Sequence, residues 1–161
     1  MPNHITNTLR IEGKDFGKVL DELINKDNQI DFGLVLPMPA GYIDDQRWYD
    51  WSINNWGTKW NAYETDIQDE VVRFDTAWSC PNKYYIALSK KYPEHKFHVT
   101  WYDEDLGYNI GTGFFKAGDW FADNVPEGGS KQAYELLFKL SPSIKDSFEL
   151  KYGEYVYKED Y

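Results

Sequence analysis

The segment HITNTLRI, residues 4–11, decides the fold because apolar and polar side chains alternate along it. The apolar side chains on one side are Ile5, Leu9 and Ile11, and the polar ones on the other side are Thr6, Thr8 and Arg10. A period of two residues is typical of a β-strand with one buried face. The segment therefore predicts a first strand with an apolar face.

A helix is predicted directly after this strand. Its apolar residues fall at helical spacing and are Phe16, Val19, Leu20, Leu23 and Ile24. Residues 31–59 then form an inserted loop and helix, because Pro37 and Pro39 interrupt regular structure before a helical pattern that stops at Gly57.

Two strands, residues 59–68 and 70–78, follow the insertion and are joined by an acidic turn near Asp69. The second strand is predicted to place Val72, Phe74 and Trp78 on one apolar face. A helix that begins at Ser79 and Pro81 ends before Pro93. Residues 97–102 then form a strand, and the turn DEDLG connects it to a second strand that pairs with it. A helix at 134–140 and a short strand with Phe148, Leu150 and Tyr152 complete the chain.

The order strand, helix, insertion, strand, strand, helix, strand is that of the split β-α-β fold. The sequence thus predicts an α+β, ferredoxin-like sandwich with a mainly antiparallel sheet. Residues 1–117 form the ferredoxin-like domain, with 31–59 as its inserted segment, and residues 118–161 form a C-terminal extension packed on the same domain.

Composition narrows the function classes. The net charge of -10 over 161 residues repels phosphate backbones and favours a partner with a basic surface. Cys80 is the one cysteine, so an intramolecular disulfide is excluded, and neither a signal peptide nor a membrane-spanning segment is recognisable. These features predict a cytoplasmic protein.

Five short segments, in this order, carry a resemblance to a known family. They are MPNHITNTLRIEG at the start, LPMP at 36–39, NNWGTKWNAY at 54–63, TAWSCP at 76–81 and YDEDLGYNIG at 102–111. Together, over roughly residues 1–115, they resemble the YubB-like ferredoxin-domain family of plasmid and phage proteins. The resemblance implies the fold and an origin in a mobile genetic element. It implies no activity, cofactor or catalytic residue.

Trp56, Lys59 and Trp60 form the first candidate binding site. The favoured interpretation is packing, with Gly57 in a turn of positive φ and both indoles covering the end of the sheet. The alternative is an exposed aromatic platform that stacks on a base, a sugar or a partner side chain.

Asp103, Glu104 and Asp105 form the second candidate binding site. They belong to a set of acids around the two predicted hairpins, which are Glu64, Asp66, Asp69, Glu70, Asp75, Asp103, Glu104 and Asp105. The favoured interpretation is solvated turn and edge charge that blocks strand addition, and the alternative is an acidic surface for a basic protein. The alternating oxygens of DEDLGYN are similar to the start of a calcium loop, but the distal bidentate glutamate has no counterpart, so no metal site is predicted. His95 and His98 would face opposite sides of a strand and could not share a metal. No catalytic residue and no cofactor is predicted.

The favoured function is a non-enzymatic interaction protein of a mobile genetic element, acting as an acidic inhibitor of a host defence or nucleic-acid-handling protein. A nucleic-acid-binding module is an alternative, disfavoured because only Lys59, Arg73 and Lys83 are obvious basic neighbours of sheet aromatics. An enzyme with a pocket between the sheet and the C-terminal extension is the other alternative. The oligomeric state is not predicted.

Overall fold

The computed structural model describes residues 2–159. Its helices and strands are, in chain order, β1 (His4–Glu12), α1 (Phe16–Leu23), α2 (Trp48–Asn55), β2 (Tyr63–Gln68), β3 (Val71–Ala77), α3 (Asn82–Lys91), β4 (Lys96–Asp103), β5 (Gly111–Lys116), β6 (Asp119–Asn124), α4 (Lys131–Leu140), β7 (Phe148–Lys151) and β8 (Glu154–Tyr157). Short 3₁₀ turns occupy Phe32–Leu34 and Pro142–Ser147.

The six-stranded sheet has the order β2-β3-β1-β4-β5-β6, and neighbouring strands are antiparallel throughout. Its first four strands have the ferredoxin-like arrangement, in which β1 lies between β3 and β4. The predicted α+β, ferredoxin-like class is confirmed. β5 and β6 widen this sheet, and β7 and β8 form a separate hairpin.

One face of the sheet carries the main core, against which α1 and α3 pack. The alternation of β1 places Leu9 and Ile11 there, next to Val72 and Phe74 of β3 and Phe97 of β4. From the helices, Leu23 and Leu88 are completely buried. α1 and α3 therefore cover the apolar face of the central strand, and we call the opposite, polar face the open face.

The C-terminal extension both lengthens the sheet and folds over its open face. β6 pairs with β5, and α4 then begins at Ser130, whose hydroxyl accepts a hydrogen bond from the backbone N–H of Ala133 (3.1 Å). Leu137 and Phe138 of α4 join a second apolar cluster that includes Tyr102, which lies on the open face of β4. No helix within residues 2–159 is long and apolar enough to cross a membrane.

Three features differ from the sequence prediction. Residues 119–124 form β6, which the pattern did not reveal because every residue of this edge strand is exposed and no apolar alternation results. The strand predicted at 59–68 begins only at Tyr63, because residues 57–60 form a turn. The single last strand is a hairpin, with Tyr152 in its turn rather than in a strand.

Buried tyrosines make the fold sensitive to alkaline pH. Burial raises the pKa of Tyr84 and Tyr85 above the ordinary value of 10.0, and it raises the pKa of Tyr63 to about 12. In the unfolded chain these hydroxyls ionise at about pH 10. The stability gained by keeping them neutral is therefore complete below about pH 10 and is lost as the pH rises towards the folded-state pKa values.

We expect the free energy of unfolding to fall steadily above about pH 10, with tyrosinate absorbance appearing during unfolding. Tyr85→Phe removes one such group, so the fall should become shallower by up to about 1.4 kcal/mol per pH unit. Urea titrations from pH 7 to pH 11 measure this slope. Tyr152→Phe, which alters an exposed ring, is the matched control, and equal slopes in both variants would contradict the prediction.

Candidate functional site

The turn after α2 is fastened to the end of β3. Gly57 has a φ of 83°, the left-handed conformation that the sequence predicts for it, and a Cβ there would lie 2.4 Å from Asn82 Oδ1. The Thr58 hydroxyl donates to the carbonyl of Ala77 (2.7 Å), and the Ser79 hydroxyl donates to the carbonyl of Gly57 (2.6 Å). The segment 57–60 is thereby held beside residues 77–79.

The two tryptophans of this segment have different environments. Trp56 is 5% exposed, packs edge-on against Phe32 and Trp51, and donates from Nε1 to the carbonyl of Leu36 (3.0 Å). Trp60 is 37% exposed. Trp56 therefore belongs to the core, whereas Trp60 and its neighbour Lys59 lie at the surface.

Trp78 meets this pair at the surface, which corrects the prediction that it lies on the apolar face of β3. Its φ of 72° turns the indole outwards, and it is 42% exposed. Lys59 Nζ lies 4.5 Å from the ring centroid of Trp60 and 4.6 Å from that of Trp78, while Tyr49 meets Trp78 edge-on at 6.1 Å. A bulky residue at positive φ costs about 1–3 kcal/mol, and such strain is concentrated at functional sites.

Asp103 connects this aromatic group to the acidic turn. Its carboxylate is buried and accepts hydrogen bonds from the Asn3 amide (3.1 Å), the Asp105 backbone N–H (2.9 Å) and the Asn109 amide (3.4 Å). Asn109 also donates to the carbonyl of Trp78 (3.4 Å), and the backbone N–H of Trp78 donates to the carbonyl of Asn3 (2.8 Å). Asp103 thus holds the turn together, and the exposed acids beside it are Glu104 and Asp105.

The carboxylates of Glu64, Asp75 and Glu104 lie around Tyr63. After burial, the main causes that raise its pKa to about 12 are the negative charges of Asp75, Glu104 and Glu64. The Tyr63 hydroxyl is hydrogen-bonded to His4, and the backbone N–H of His4 donates to Glu104 Oε1 (3.0 Å). The starts of β1 and β2 and the ends of β3 and β4 therefore bring these carboxylates to one end of the sheet.

We call this region the aromatic–acidic surface. It consists of Tyr49, Lys59, Trp60, Glu64, Asp75, Trp78 and Glu104. Within residues 2–159, no group of three or more His, Cys, Asp or Glu side chains is placed to hold a metal ion. The arrangement is suited to contact with another molecule, because large exposed rings lie near the exposed carboxylates of Glu64 and Glu104.

A groove of about 560 Å³ lies between the open face of the sheet and α4, where the enzyme alternative places a pocket. His98 lies in it, with its Nε2 2.6 Å from Glu12 Oε2, and the Thr8 and Thr100 hydroxyls are hydrogen-bonded to each other. The groove therefore contains titratable groups, but the described contacts do not pair a hydroxyl with the imidazole as nucleophilic catalysis requires.

Comparison with protein families gives the context of this site. Residues 55–141 match the family described as the ferredoxin-like domain in Api92-like protein. The chain belongs to this family. The match runs from the end of α2 to the end of α4, so the family's domain includes β6 and the helix over the open face. Searches of curated proteins and of solved structures found no match.

The sequence pattern alone predicted part of this site. It named Lys59, Trp60 and Glu104, which the fold brings to the same end of the sheet. It also named Trp56 and Asp103, which are buried, and Asp105, which is exposed beside Asp103. The acidic set it considered also included Glu64 and Asp75, which lie around Tyr63 at this end. The residues it did not assign to a binding site are Asn3, Tyr49, Tyr63, Trp78 and Asn109, since a single sequence gives no signal for their convergence. The binding role of the named residues stays a prediction.

The two tryptophans should differ sharply in their effect on stability. Trp56→Ala should lower the free energy of unfolding by about 3–5 kcal/mol, because it empties a filled site in the core. Trp60→Ala should lower it by no more than about 1 kcal/mol, the value of an exposed cation–π contact. Urea denaturation at pH 7 measures both, and similar losses would contradict the assigned environments.

Asp103 and Asp105 provide a second matched pair. Asp103→Ala removes a buried acceptor of three hydrogen bonds and should cost about 2 kcal/mol of stability. Asp105→Ala alters an exposed side chain and should change stability by no more than about 0.5 kcal/mol. Thermal and urea unfolding of both variants test this, and a loss of stability confined to Asp105→Ala would refute it.

Proposed function

We propose that this chain is a non-enzymatic interaction protein whose aromatic–acidic surface binds a protein with a basic surface. The observation that carries the proposal is the convergence of two distant segments, 57–60 and 103–105, on Trp78. This contact is held by the hydrogen bonds of Asn3 and Asn109.

The chemistry of the surface fits that role. Tryptophan and tyrosine supply most of the binding energy in many interfaces, and Tyr49, Trp60 and Trp78 are between 37% and 42% exposed. Lys59 lies against two of these rings, so its ammonium group is engaged in cation–π contacts within the surface. The carboxylates of Glu64 and Glu104 add negative charge at the margin, which speeds association with a basic partner.

The class of partner follows from this charge. Proteins that handle nucleic acids have basic surfaces that bind phosphates, and a group of carboxylates beside aromatic rings imitates that ligand. We therefore propose that the chain inhibits a host nucleic-acid-handling or defence protein in the cytoplasm. The resemblance of five sequence segments to YubB-like proteins of plasmids and phages supports an origin in a mobile genetic element.

Affinity capture from a bacterial lysate tests the proposal. The full chain should retain a protein at low salt, and retention should weaken as salt rises. Trp60→Ala should reduce the affinity of the purified partner by about thirtyfold, equivalent to about 2 kcal/mol for a central aromatic contact. Duplex DNA should compete with the chain for that partner.

Two charge reversals supply the matched comparison. Glu104→Lys changes the aromatic–acidic surface, whereas Glu70→Lys makes the same change in an exposed turn between β2 and β3, at the other end of the sheet. Binding should be lost in the first variant and kept in the second. Equal loss in both would show that only net charge matters, and absence of any retained protein at low salt would end the proposal.

A further inference from the structure

The register of the sheet builds a second surface on the open face, beside the part that α4 covers. Arg10 of β1 is paired with Val71 on one side and with His98 on the other. His98 is paired with Phe114, and Phe114 with Phe121. Because paired residues lie on the same face, these five side chains form one row across five strands, about 19 Å long at about 4.8 Å per strand.

The aromatic end of this row is open to solvent. Phe114 and Phe121 are stacked, with ring centroids 4.7 Å apart and planes inclined by 14°. Phe121 is 46% exposed on the edge strand, and Lys96 Nζ lies 5.0 Å above the Phe114 ring. A flat, exposed ring next to a cation is the arrangement on which nucleic-acid bases stack in single-strand-binding proteins.

The groove beside this row is lined by more positive than negative side chains, although the chain as a whole is negatively charged. Arg10 and Lys139 of α4 line it as cations, against one carboxylate, Asp123, which accepts a hydrogen bond from the Thr112 hydroxyl (3.1 Å). The nearby Glu12 carboxylate, hydrogen-bonded to His98 Nε2, is a second negative charge beside the groove, and Lys96 is a further cation next to it. In a chain of net charge -10, this groove is therefore a local site for an anion.

We propose that the open face binds single-stranded nucleic acid, with a base stacked on Phe121 and the phosphate backbone passing Arg10, Lys96 and Lys139. The ligand is a strand rather than a duplex, because the rings must contact base faces that are covered in a helix. This activity uses residues separate from the aromatic–acidic surface and goes beyond the interaction proposed above.

The test measures fluorescence anisotropy of labelled 12-nucleotide poly-dT and poly-U strands with the full chain at about 50 mM salt. Binding in the micromolar range is expected. Phe121→Ala should weaken it about tenfold, which is within the range for loss of one base–aromatic stack. Because Phe121 lies exposed on β6, circular dichroism and thermal melting should show an unchanged fold.

The charge contacts have their own matched control. Arg10→Ala and Lys139→Ala should each weaken binding several-fold, and each should make the plot of log affinity against log salt shallower by about 0.7, the value for one phosphate of a single strand. Lys18→Ala removes the same charge from an exposed position on α1, on the other face of the sheet, and should change neither quantity. Trp60→Ala should also leave strand binding intact, so this proposal and the preceding one fail independently.

Three outcomes would overturn the inference. The wild-type chain could fail to bind either strand at about 50 mM salt. Binding could survive Phe121→Ala combined with Arg10→Ala. Finally, a free mononucleotide could compete as well as the 12-nucleotide strand at equal molar concentration, which would assign the groove to free nucleotides.

Discussion

The two-residue repeat of β1 is the constraint on which the rest of the structure depends. β1 lies between β3 and β4, so its register determines which side chains of all three strands share a face. Leu9 is completely buried on one side while Arg10 is exposed on the other. A slip of one residue would exchange them and place a guanidinium in the core. Asn7 reinforces the register, because its buried amide donates to the Thr76 hydroxyl (2.9 Å) on the adjacent strand.

Both candidate surfaces follow from that register, but they depend on different parts of the sheet. The polar face of β1 becomes the middle of the row from Val71 to Phe121, which exists only because β5 and β6 continue the pairing. The aromatic–acidic surface lies at the end where β1 begins. There the buried carboxylate of Asp103 joins Asn3 to the turn at 103–109, and Asn3 and Asn109 in turn bind the backbone of Trp78. The row on the open face arises from regular strand pairing, whereas the aromatic–acidic surface arises from one irregular network of hydrogen bonds.

This difference explains how far the sequence alone could predict the molecule. Strands and helices whose side chains alternate or repeat against a core were predictable, as at residues 4–11 and 16–24, and their order gave the ferredoxin-like class. Edge strand β6 was not, because it buries no side chain and so has no pattern. Trp78 was misplaced because alternation assumes an extended backbone, whereas its φ is 72°. The row on the open face requires knowledge of strand partners, which one sequence does not provide.

Net charge is also an incomplete guide to the ligands of this chain. The value of -10 argues against nucleic acid only if the molecule acts as one uniform charge. At physiological ionic strength, interactions between exposed charges are screened beyond about 8 Å. The row on the open face is about 19 Å long on strand spacing alone. The electrostatic potential at its far end is therefore determined by the charged groups nearby rather than by the net charge of the chain. The carboxylates around Tyr63 and the cations beside Phe114 can therefore attract ligands of opposite charge on the same small domain.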